Sequence, residues 1–146
     1  MPYRFTLVPV AAAALLASLA LAADPGPSLL KVPVASTRVV APSEYAAATT
    51  LAAHGGAPID IALAVVGTFE GATQHILQVN EGSEAPRASR VTVLRDGLLD
   101  DALRGERWDI ALARSAAGVW RIEKVERTWR CRRGEHTDRF ATTPCP

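Results

Sequence analysis

Trp108-Asp109-Ile110-Ala111-Leu112-Ala113-Arg114, then Ser115-Ala116-Ala117-Gly118-Val119, then Trp120-Arg121-Ile122: this run decides the fold. Trp108, Ile110 and Leu112 share one face of an extended chain, with Asp109, Ala111 and Ala113 on the other. A four-residue loop, Ser115 to Gly118, would set Trp120 opposite Ala113 and send Trp120 and Ile122 to the wrong face. A loop lengthened to Val119 pairs Leu112 with Ile122 and gathers all five large side chains on one side. A one-residue slip turns every side chain over. Burial therefore selects the five-residue loop, with Gly118 supplying a positive φ. Beyond Ile122, Val125 and Trp129 fall out of phase, and a bulge near Glu123-Lys124 returns them to the core face. The alternative is that the end of this strand covers something on the opposite side.

Upstream, Arg90-Val91-Thr92-Val93-Leu94 alternates as a strand, continuing past Asp96-Gly97 through Leu98 and Leu99. His75-Ile76-Leu77-Gln78-Val79 reads as a short strand, and Asn80 to Ser83 as turn material. Arg104-Gly105-Glu106 reads as a polar turn. Before the strands stand two helical segments. Residues 43–56 have Ser43 as a cap, alanines as helix formers and Gly55 as a stop. In Ala57–Gly67, Pro58 opens the helix, Asp60 suits its positive end, and Ile59, Leu63 and Val66 form the predicted buried stripe. Residues 23–42 hold four prolines and read as an extended lead-in.

The first 22 residues set the compartment. From Phe5 to Ala23 there is no charge, and Ala20-Leu21-Ala22 has the small-residue pattern of a signal-peptidase site. The rival reading is a retained membrane anchor, but eight alanines and Pro9 weaken that span. A cleaved leader over 1–22 gives a periplasmic or secreted product with no membrane span. All 15 acids and 15 of the 16 bases lie beyond Ala22, which leaves the matured chain formally neutral. A nucleic-acid-binding domain carries a clear basic excess, so that partner class is disfavoured.

Cys131 and Cys145 are the two cysteines of the chain. In an oxidising compartment they are expected to pair and staple a domain with few aromatic residues. A metal site from Cys131, His136 and Cys145 is the rival, without a fourth ligand and with spacings unlike the usual zinc pairs.

Gly97-Leu98-Leu99-Asp100-Asp101, Gly105-Glu106-Arg107-Trp108, Val119-Trp120-Arg121-Ile122 and Cys131-Arg132-Arg133-Gly134-Glu135-His136 form a series. It resembles the C-terminal half of a group of uncharacterised exported bacterial proteins. Those share a Gly-Leu-x-Asp-Asp segment and a Cys…Gly-x-His…Cys tail. The chain departs from their pattern at Glu135, where arginine is expected, and at Phe140, where tryptophan is common. The resemblance implies a disulfide-closed domain and no particular activity.

Asp100-Asp101 is the one adjacent carboxylate pair. Neighbours on a strand point apart, so a turn, a ladder end or a salt bridge to Arg104 or Arg107 is expected rather than acid–base or metal chemistry. His54 sits at a helix end, and no nucleophile elbow or phosphate loop is present. No catalytic, cofactor-binding or metal-ligating residue is assigned. The candidate interaction surface is Arg127, Trp129, Arg130, Arg132 and Arg133, suited to an envelope protein or an anionic envelope polymer. Its bland counterpart is a solvated strand edge protected by arginines.

These readings converge on a single small α+β domain over 43–146, with one or two N-terminal helices on an antiparallel meander of about four strands. A disulfide closes its C-terminal loop. The expected function is a non-enzymatic exported binding module. The alternative is a helix-on-sheet pocket for a small ligand or for hydrolysis, using Asp100 or His75.

Overall fold

A computed structural model describes residues 28–82 and 84–146. The leader and its cleavage site, with the first residues of the lead-in, lie outside the described residues. The remainder is a five-stranded antiparallel sheet with two helices packed on one face. The strands are β1 (Arg38–Val39), β2 (Thr73–Glu81), β3 (Ala88–Asp96), β4 (Leu103–Arg114) and β5 (Trp120–Cys131), in spatial order β1-β5-β4-β3-β2. The helices are α1 (Ala46–Ala53) and α2 (Pro58–Val66).

The β4–β5 hairpin has the predicted five-residue loop. Arg114 pairs with Trp120 and Leu112 with Ile122, and Ser115 N donates to the Val119 carbonyl at 2.8 Å. Gly118 takes φ +83°, a conformation that side chains with a Cβ avoid. The register slips between Ala111 and Leu112, where Glu123 is the extra residue. The predicted bulge therefore restores the phase. Val125 faces Ile110 and is fully buried, and Arg127 and Trp129 follow on the same side opposite Trp108 and Glu106. The main core joins this face to Ala48, Ala52, Ile61, Ala62, Val65 and Val66 of the helices.

Several expectations are corrected. The sheet has five strands, because the proline-rich lead-in adds β1 beside β5 and sends Val40 into the core. Ser43 is not the helix cap: a 3-10 turn, Pro42–Tyr45, precedes α1, and Glu44 Oε1 accepts the Ala41 N–H at 3.2 Å. The buried side of α2 is Pro58, Ile61, Ala62, Val65 and Val66, whereas Ile59 is exposed. α2 is apolar almost all round, so spacing alone could not select its inner face. Leu98 and Leu99 do not extend β3, and Leu99 is 82% exposed. Gly105 lies inside β4 rather than in a turn. A Cβ there would stand 2.6 Å from the Arg95 carbonyl and 2.8 Å from Asp96 Oδ1. Glycine is required by that close approach.

The sheet's other face carries a smaller core of Leu29, Leu94 and Phe140, with Val32 against it. Lead-in and tail supply most of it. The tail is held by a disulfide between Cys131 and Cys145.

Candidate functional site

The structure does not bring the five predicted surface residues into one patch. Alternation along β5 sends Arg127 and Trp129 to the helix side and Arg130 to the opposite side. Arg127 lies over the Trp108 ring, 4.7 Å from its centroid, and its Nη2 donates to Glu106 Oε2 at 2.9 Å. Trp129 Nε1 donates to the Thr143 carbonyl at 2.9 Å. Arg130 is buried, bonded to Asp96 Oδ1 at 2.6 Å, with its guanidinium over the Phe140 ring. Its inclusion in an exposed surface is corrected. Arg132 donates to the carbonyls of Asp100 and Leu98, and Arg133 to that of Pro146. Arg127 and Arg130 are paired with carboxylates, whereas Arg132 and Arg133 are exposed and bonded to backbone carbonyls.

Beneath α2 lies a buried ionic network that sequence reasoning missed. Arg95 donates to Glu106 Oε1 at 3.1 Å, to the Val66 carbonyl at 2.9 Å, to the Gly67 carbonyl at 2.6 Å and to Gln74 Oε1 at 2.8 Å. It satisfies carbonyls that the end of α2 leaves without helical partners. Its positive charge also suits the negative end of the helix dipole. Glu106 accepts from Arg95 and Arg127 together. A signal was available: Arg95 and Glu106 are in phase with the apolar residues of their strands, where a charge demands a buried partner.

The residues of the alternative pocket reading do not converge. His75 projects from β2 on the face away from α2, and it is exposed. Asp100 lines a cleft of about 400 Å³ with Glu70, Arg95, Leu99, Glu106 and Arg127. Its Oδ1 accepts the Ala102 and Leu103 N–H groups at 2.8 and 2.5 Å, and these bonds hold its pKa below the ordinary value. Asp100 shapes a turn. Arg104 and Arg107, the partners expected for the carboxylate pair, instead meet Asp96 and Asp109. The sulfurs of Cys131 and Cys145 are joined to each other, which overturns the metal reading of those thiols. His136 contributes its backbone, its carbonyl accepting the Cys131 N–H at 2.8 Å. His54 ends α1, with Nδ1 2.8 Å from the Thr50 carbonyl.

The two edges of the sheet differ sharply. At the β5 edge, β1 pairs with Glu126 and Arg127, and Ala141 bridges Trp129 through two backbone bonds of 2.9 and 3.0 Å. Phe140 in turn bridges Val34. β1 itself has two residues, one of them Arg38, and stands between Pro33 and Pro42. Short length, charge and nearby proline are the usual protections of an edge.

β2 is long and its one charge stands at its end. Its nine residues, Thr73-Gln74-His75-Ile76-Leu77-Gln78-Val79-Asn80-Glu81, pair with β3 in unbroken register. It contains no proline, lysine or arginine, and Glu81 is its one carboxylate. Ile76, Leu77 and Val79 are 39%, 44% and 53% exposed. α2 packs over β3 and β4, so the helices do not roof this margin. Among the described residues no strand pairs with its outer side. The sequence reading found a strand here but had no signal that it would lie at the border.

No protein-family model matches the chain, and neither a curated protein nor a solved structure matches it. Among the described residues no helix is long and apolar enough to cross a membrane.

Proposed function

We propose that this chain is a non-catalytic binding module of the bacterial envelope, working in the periplasm or outside the cell, and that it takes a polypeptide as an added strand along β2. The observation that carries this reading is the unprotected edge of β2, set against a β5 edge closed by two separate segments of the same chain. Roughly half the residues of an edge strand turn their N–H and C=O groups outward. An incoming strand satisfies them, while alternate side chains read the partner. The exposed Ile76, Leu77 and Val79 supply apolar contact on both faces of the margin. The leader-like segment, the disulfide and the resemblance to exported bacterial proteins support the envelope location.

A polypeptide is favoured over an anionic polymer, because Arg127 and Arg130 are paired with carboxylates and the five residues do not form one basic patch. The experiment is site-specific photocrosslinking in the native host. A photoreactive residue at Val79 is expected to capture a polypeptide, and the same residue at Thr37, beside the closed edge, is not. Equal yields at both sites, or none at Val79, would reject the reading.

A further inference from the structure

We infer that the strand added to β2 is β2 of a second copy, related by a two-fold axis perpendicular to the sheet, so that two five-stranded sheets become one. This inference rests on the strand-addition reading. Three observations favour a second copy as the occupant.

The first is the closure of the other border. Among the described residues, β1, Val34, Phe140 and Ala141 occupy the β5 side, and the strand that borders it, β1, is two residues long. The available margin on a neighbouring copy is β2 itself. Pairing is then isologous and stops at two copies rather than running on into a fibre.

The second is the self-complementarity of the segment. In an antiparallel two-fold pairing centred on Ile76, Leu77 or Gln78, like residues meet only at the centre. The Glu81 carboxylates are then carried to opposite ends, and no like-charged pair is set face to face. Centred on Leu77, the apolar Leu77 meets its own copy, Gln74 meets Asn80, and Glu81 meets Thr73.

The third is the position of the helices. α1 packs on β5, and α2 on β3 and β4, so neither helix makes its main contacts with the edge strand. A contact limited to nine residues a side is at the small end of specific interfaces. The dimer is therefore weak and concentration-dependent.

The test uses the matured chain from residue 23 in sedimentation equilibrium over a wide concentration range. Wild type is expected to pass reversibly from monomer to dimer. Leu77→Lys and Leu77→Glu, both at an exposed position, should each weaken self-association by at least about tenfold while keeping the circular dichroism of the wild type. An equimolar mixture of the two should recover it, because the axis brings residue 77 close to its own copy. A monomeric wild type at every concentration, or a mixture that fails to associate, overturns the two-fold dimer. If the wild type is monomeric yet Val79 still crosslinks a different polypeptide, self-pairing falls and the strand-addition reading stands. If neither dimer nor crosslink forms, both fall.

Discussion

Arg95 Nη1 lies 3.1 Å from Glu106 Oε1 across β3 and β4, and both side chains are buried. The pair ties the sheet to the end of α2, because the same guanidinium holds the Val66 and Gly67 carbonyls. Removing Arg95 leaves the buried Glu106 with Arg127 as its one cation, and removing Glu106 leaves the buried Arg95 charge without a carboxylate.

Arg95→Met is therefore expected to cost about 3–5 kcal/mol of folding stability in urea unfolding, much more than an exposed-arginine control such as Arg121→Met. Replacing both members, Arg95→Met with Glu106→Leu, should recover part of that loss. If the double variant is as unstable as the sum of the singles, the two charges do not act as a unit.

Gly105→Ala is expected to destabilise by about 1–3 kcal/mol, since its Cβ would enter the space of the Arg95 carbonyl and Asp96 Oδ1. Gly134→Ala is no substitute control because Gly134 has φ +85°. Ala111→Gly, in the middle of the same strand, serves better. Thermal unfolding of the two variants measures the cost of filling that close approach.

Deleting Glu123 removes the residue that resets the phase of β5. With Leu112 still opposite Ile122, Val125 and Trp129 would turn toward the wrong face. The deletion should abolish cooperative unfolding, whereas Glu123→Ala should remain within about 0.5 kcal/mol of wild type.

Asp109 should contribute to the acid limb of stability. Burial pushes its pKa up, but hydrogen bonds from Arg107 at 2.7 Å and Thr92 at 2.7 Å, with the charges of Arg107 and Arg90, hold it below the ordinary value. A carboxylate depressed on folding contributes stability above its unfolded pKa of about 3.9 and loses it as pH falls through the folded value. Asp109→Asn should therefore be less stable than wild type at neutral pH, and the gap should narrow below about pH 4. A gap independent of pH would refute this role.

The parts legible in the sequence were those set by phase. Trp108, Ile110, Leu112, Trp120 and Ile122 dictate loop length, and Val125 then demands a bulge, because side-chain alternation leaves no other way to bury them together. Contacts between distant segments left weaker traces. Arg95, Glu106 and Arg127 meet only through strand register, and β1 is two residues in a proline-rich stretch where no periodicity can form. The candidate surface failed for a related reason. Consecutive arginines on a strand look clustered in sequence but fall on opposite faces, as Arg127 and Arg130 do.

The Cys131–Cys145 bond should be worth about 3 kcal/mol for its short loop, and replacing both cysteines by alanine should lower the unfolding midpoint accordingly. The same variant should lose amide protection at Ala141 and Trp129, which hydrogen exchange reads directly.

Phe140 and Ala141 follow every strand in chain order, yet they help shut the border opposite β2. A nascent chain that has finished β5 but not the segment after it has only the two residues of β1 to cover the outer side of that strand. Closure of that border therefore waits for residues synthesised after the whole sheet, and the disulfide fixes them there.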